Sequence, residues 1–267
     1  MLEYWWLFPL AGMGMGLIAG LFGVGGGVIL VPFFTFVFQK ASFGNTLSSQ
    51  MAVATSMCCI TFTSPSSMYA HHKKQGVDWR LVQRIVPGIL LGSSAGAYCV
   101  SYLSGFTLKL IFLIFQFSIA TWFLLQKKKT ERQEEQNHIT TIKAVLSGSF
   151  IGFFSALLGV GGGVFSTGFL SWHNYNIQKA IGTSAAIGFP LAVFASIGFI
   201  ISGMQLDNLP KYSFGLIYFP ALTILITSIV FAKIGASYTH TLDAQKLKKI
   251  FAFFLYLLVL KMIWSLL

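Results

Sequence analysis

Charge is scarce in this sequence. Only 9% of its 267 residues are Asp, Glu, Lys or Arg, against about 25% in ordinary soluble domains. A water-soluble chain of this size has no means of staying dispersed with so little surface charge, so that class is excluded. The seven acidic residues avoid the interiors of the apolar segments, so the buried carboxylate relay common in proton pumps is missing. Three cysteines, Cys58, Cys59 and Cys99, lie in apolar stretches without metal-ligand spacing and read as small packing residues. Five histidines (His71, His72, His138, His173 and His240) form no i, i+4 pair around a carboxylate, which excludes a zinc-protease helix. No metal, cofactor or catalytic residue is expected, and no nucleotide-binding domain is encoded.

Long hydrophobic runs and glycine are plentiful: 55% of the chain is hydrophobic and 27 residues are glycine. Segments such as Leu81 to Leu103 and Tyr212 to Gly235 are long enough to span a bilayer, which takes about 20 residues. The net charge of +11 then marks cytoplasmic loops rather than a nucleic-acid partner. The apolar N-terminus has the look of a signal-peptide core. It carries Glu3 and lacks a basic leader and a small-residue cleavage site, so it is expected to stay in the mature protein.

The spans read in two matching series. The first is Tyr4 to Phe38, then Ser48 to Tyr69, Leu81 to Leu103 and Phe106 to Gln126. After the polar run "KKKTERQEEQNH" the pattern restarts with Ile142 to Trp172, Ala180 to Ser202, Tyr212 to Gly235 and Leu247 to Leu267. The opening segment of each series is broken by a glycine cluster, "FGVGGGVILVP" from Phe22 and "LGVGGGVFSTG" from Leu158. Each glycine costs a helix interior about 1 kcal/mol relative to alanine, so both stretches should interrupt. Gly12 and Gly16 match Gly148 and Gly152, "ATSM" matches "GTSA", Asp78 matches Asp207, Pro87 matches Pro220, and "TLKLIF" matches "KLKKIF". The matching order implies residues 1–126 as a first membrane repeat, 127–141 as a cytoplasmic polar linker and 142–267 as a second repeat.

Charge distinguishes parallel from inverted repeats. If each broken stretch enters and leaves on one side, fourteen of the eighteen Lys and Arg share a side, leaving Lys40, Lys109, Lys211 and Lys261 opposite. That positive-inside bias favours inverted repeats with both termini outside; ten short full crossings would give the same parity. The expected fold is therefore all-α: a polytopic integral membrane protein of two four-segment repeats, each opening with a broken helix or re-entrant hairpin. Paired interruptions of this kind build midplane sites in secondary transporters.

"GLFGVGGGVILVP" and its echo "ALLGVGGGVFSTG", the two Thr-Ser pairs and the "LK…F" final spans resemble the TauE/SafE family of sulfite exporters over essentially the whole chain. The resemblance implies movement of small sulfur-containing anions: sulfite, sulfoacetate, taurine-derived sulfonates or thiosulfate. Gly168 stands where the first copy has Pro32, a departure that separates the two hairpins.

The residues themselves point to an anion independently. Interrupted helices expose N–H donors and a partial positive charge, and glycine lets a ligand approach the backbone closely. The expected substrate-binding residues are Gly25, Gly26, Gly27, Gly161, Gly162 and Gly163, with hydroxyls from Thr55, Ser56, Thr183 and Ser184. Asn45, Gln50 and Thr167 are weaker additions, and Asp78 and Asp207 read as helix caps. Four-residue spacing assigns Gly12, Gly16 and Gly20 to helix packing instead. The expected partners are an inorganic or organosulfonate anion and the lipid bilayer of the inner (plasma) membrane, with homo-oligomerisation left open. An anion channel is the alternative to a carrier, because half-helices serve both. A membrane enzyme lacks a nucleophile-base cluster: "HHKKQ" at His71 has no carboxylate nearer than Asp78.

Overall fold

A computed structural model of the chain describes residues 7–22, 26–125, 139–206, 209–238 and 244–264. Among these, ten α-helices form: α1 (Leu7–Phe22), α2 (Gly27–Lys40), α3 (Asn45–Lys73), α4 (Trp79–Val100), α5 (Gly105–Leu125), α6 (Thr141–Leu158), α7 (Gly163–Trp172), α8 (Ile177–Gly203), α9 (Leu225–Tyr238) and α10 (Ala244–Trp264). The expected helical interruptions occur in both series, between α1 and α2 and between α6 and α7. The polar linker, apart from its last residues, and Asp207 lie outside the described residues.

Three of the described helices, α5, α6 and α8, are both long and apolar enough to cross a membrane. The pieces beside the breaks are unequal. α1 and α2 have 16 and 14 residues, and α6 and α7 have 18 and 10. At 1.5 Å per residue, α7 is about 15 Å long, half the roughly 30 Å hydrocarbon core.

One expected span is different. Tyr212 to Gly235 is not a single helix: it opens with an antiparallel hairpin pairing Ser213 with Tyr218 and Phe214 with Ile217. A 3-10 segment, Phe219–Ile224, follows with Pro220 in its first turn, and only then does the 14-residue α9 begin. The cause is local. Tyr212 and Gly215 have φ of 68° and 57°, outside the helical region. A Cβ on Gly215 would sit 2.5 Å from the carbonyl oxygen of Ile200, so the hairpin tip lies against α8. Pro87, by contrast, lies well inside the continuous α4, so the two matched prolines occupy unlike positions.

Helix packing runs largely between the two halves. α1 packs on α9, α4 on α6, α3 on α8 and α5 on α10. Small residues bring two of these pairs close. A Cβ at Gly88, Gly92 or Gly96 on α4 would strike the carbonyls of Val145, Ser149 and Phe153 on α6. Gly12 and Gly16 on α1 meet Ile224, Thr227 and Ser228 in the same way, the packing role their spacing predicts. Without a hydrophobic force between helices in lipid, close backbone approach supplies the dispersion energy that holds such pairs.

Candidate functional site

The glycines that stop α1 and α6 also shape the helix starts that follow. Gly26 is the N-cap of α2 with φ 74°, and Gly162 is the N-cap of α7 with φ 71°. Both occupy the left-handed region, which costs a residue with Cβ roughly 1 kcal/mol or more. Neither helix start receives a side-chain cap, and Gly26, Gly27, Gly161, Gly162 and Gly163 are all buried. Gly25 lies outside the described residues. The two breaks touch one another. A Cβ on Gly27 would strike the carbonyl oxygen of Gly159 and stand 2.8 Å from Cα of Val160. Two helix N-termini, each carrying about half a positive charge, thus begin in one buried region.

The expected hydroxyls divide between this region and its supports. Ser56 Oγ on α3 donates to the Gly159 carbonyl at 2.8 Å, tying the first series to the second break. Ser184 Oγ accepts from Thr167 Oγ1 at 3.0 Å, both buried, which places this pair beside α7. The threonines have matching partners: Thr55 Oγ1 accepts from Tyr218 N at 3.1 Å and Thr183 Oγ1 from Asp78 N at 2.9 Å. Each therefore holds the N-cap residue of a segment in the opposite half. Gln50 works elsewhere. Its amide donates to the carbonyls of Val100, Ser101 and Leu103 at 3.1, 3.1 and 3.2 Å, closing the C-terminal end of α4. Asn45 accepts from Gln39 at the surface.

Two residues absent from the expected set stand at the second break. Ser155, in the last turn of α6, and Ser166, in the first turns of α7, are fully buried, and their hydroxyls have no hydrogen-bond partner among the described residues. Their oxygens lie 3.7 and 3.8 Å from the point where a Cβ of Gly162 would sit, with Leu191 Cδ1 at 2.8 Å. A buried hydroxyl left unpaired costs about 1–3 kcal/mol, so these two are groups at the break whose hydrogen-bonding capacity is unmet. Gln116 on α5 is also fully buried with both amide atoms unpaired. Its neighbour Phe115 stacks on Phe165, the residue before Ser166, at 4.9 Å between ring centroids. The 136-residue offset puts Ala19 and Leu30 opposite Ser155 and Ser166. At those two positions the first series is apolar.

Comparison with known proteins follows the same span. The family model described as "Sulfite exporter TauE/SafE" matches residues 8–262. The chain belongs to the TauE/SafE family. A "Probable membrane transporter protein" of Haemophilus influenzae is 35% identical to it, over 95% of this chain and 96% of that protein. Another so described, MJ0441 of Methanocaldococcus jannaschii, is 26% identical over 92% and 91%, and YdhB of Bacillus subtilis 25% over 88% and 90%. No solved structure matches the chain. This TauE/SafE chain is a membrane-embedded transporter.

In this TauE/SafE chain the loop before α4 is organised around Asp78. Its carboxylate caps α4 by accepting from Leu81 N at 3.1 Å and also accepts from Tyr175 Oη at 3.1 Å. Burial first, and then the neighbouring Asp78 charge, push the Tyr175 phenol up to about 12. Arg84 and Lys109 stand on α4 and α5, not on the helices that flank the breaks. Arg84 is exposed and donates to the Ile139 carbonyl at 3.4 Å. Lys109 is 7% exposed in the second turn of α5, near its N-terminal end.

Proposed function

We propose that the chain is a secondary transporter. It moves a small sulfur-containing anion, such as sulfite, sulfoacetate or thiosulfate, across the inner (plasma) membrane by alternating access. The site lies near the midplane, where the two glycine breaks meet. Gly25 to Gly27, Gly161 and Gly163 supply peptide donors, while Gly162, whose N–H is given to the Val160 carbonyl, shapes the turn; Ser56 and Ser184 stand beside them, with Thr55 and Thr183 bracing the surrounding helix ends. The repeats run inverted, with both termini outside and the linker in the cytoplasm. The observation that carries this reading is the contact of Gly27 with Gly159 and Val160, which joins two uncapped helix starts in one buried place. Non-helical backbone at membrane depth is tolerated only in protein or lining a cavity, and such helix ends favour anions. The family and its relatives support transport, not catalysis.

The test is flux of ³⁵S-labelled sulfite and thiosulfate in proteoliposomes. Wild type is expected to carry at least one of them with saturation and coupling to a gradient, the behaviour of a carrier rather than a pore. Gly26→Val and Gly162→Val are expected to abolish flux at unchanged reconstitution yield. Normal transport by both variants would remove the breaks from the site.

A further inference from the structure

The unpaired hydroxyls at the second break bear on the charge of the cargo. The described groups at this break are neutral: Ser155 Oγ, Ser166 Oγ and the peptides of Gly162 and Gly163, the Gly162 N–H being given to the Val160 carbonyl, with the Thr167–Ser184 hydroxyl pair along α7. The opposite wall is apolar, with Leu191 against Gly162 and Val31 Cγ2 2.6 Å from where a Cβ of Gly159 would sit. Among the described residues, the buried lysine or arginine is Lys109. It lies six residues before Phe115, about 9 Å along the helix axis, from the turn that stacks on α7. The attraction of neutral dipoles grows in proportion to the charge of the guest. The cost of removing an ion from water grows with the square of that charge. Two negative charges of the same size thus cost four times as much to dehydrate and recover only twice as much from these donors.

We infer that the second break is a monoanion site, in which Ser155 and Ser166 donate to the oxygens of a small tetrahedral or pyramidal sulfur oxyanion carrying a single charge. This rests on the transport reading above and narrows it. Hydrogensulfite and simple sulfonates are the cargo, and thiosulfate and sulfoacetate, each with two charges, are poor substrates. The first break, with Ala19 and Leu30 at the corresponding positions, lacks the counterparts of these two hydroxyls.

Methanesulfonate and sulfate are tetrahedral, close in size and fixed in charge at neutral pH, so they separate charge from shape. Each is added as a competitor of ³⁵S-sulfite flux into proteoliposomes of the full chain. Methanesulfonate is expected to compete on the order of a hundredfold more strongly than sulfate. Ser155→Ala and Ser166→Ala are each expected to raise the methanesulfonate inhibition constant about tenfold, the loss of one charge-assisted bond. Ser67→Ala, which removes another buried unpaired hydroxyl farther along α3, is expected to leave it unchanged and controls for folding. Equal competition by sulfate, with sulfite flux intact, overturns the monoanion site and leaves the transport reading standing. Unchanged inhibition in both serine variants overturns the placement at the second break. Absence of any anion flux in the wild type overturns the transport reading and this inference together.

Discussion

Single residues decide how the two breaks meet, and glycine does so for a stated geometric reason at Gly27. A methyl group there collides with the backbone of Gly159 and Val160, neither of which can rotate away. Gly27→Ala is expected to lower unfolding stability by about 2–3 kcal/mol, measured by thermal shift in detergent. Gly168→Ala, in a helix with nothing within 4 Å of the new methyl, is expected to raise it by about 0.5–1 kcal/mol. At the loop, Asp78→Ala removes a cap and strands the Tyr175 hydroxyl, a loss of about 1–2 kcal/mol. The Tyr175 phenol is raised from 10.0 to about 12, so its neutral form is the one the folded state favours. Its contribution is complete below pH 10 and fades as pH climbs towards 12, and Tyr175→Phe should lack that alkaline decline. The glycine clusters and the Asp78 cap were legible in the sequence because each follows from one residue's backbone or side-chain preference. Ser155 and Ser166 were not. Matched pairs mark positions that repeat between the halves, and these two serines do not repeat, their counterparts being Ala19 and Leu30.

Elements obey packing more than propensity. The α4–α6 contact is built from Gly88, Gly92 and Gly96 on one side and Gly148 and Gly152 on the other. Gly92→Leu is expected to separate these helices and cost more than 3 kcal/mol, read as loss of monodisperse protein, whereas Gly14→Ala, which meets no neighbour, should be neutral or better. Hydropathy located most helices to within a few residues, since burial in lipid and burial in protein demand the same side chains. It failed for Tyr212 to Gly235, where apolar content persists but the backbone turns at Tyr212 and Gly215. A hydrophobic scale records what a residue wants around it and is silent about φ. Gln50, a weaker addition to the expected set, has its amide bound to three carbonyls at the end of α4.

For the whole molecule, the proposed inverted arrangement makes a labelling prediction. In a background without Cys58, Cys59 and Cys99, Ser42→Cys and Lys211→Cys, both at exposed positions, should react with a membrane-impermeant maleimide added outside intact cells. Gln75→Cys and Gln178→Cys, also exposed, should react only after permeabilisation. Reaction of all four from one side would discard that topology. The order of spans could be read from sequence; which spans embrace which could not, because α1 meets α9 and α4 meets α6 across large separations in the chain.

That cross-bracing has a consequence during synthesis. The notched faces of α1 and α4 enter the membrane while their mates are still unwritten on the ribosome. Until α6 and α9 arrive, those bare stripes rest against lipid tails, and the emerging first half is a structure waiting for its other hand. A stop codon in the linker would therefore leave not half a transporter but a fragment for the quality-control proteases.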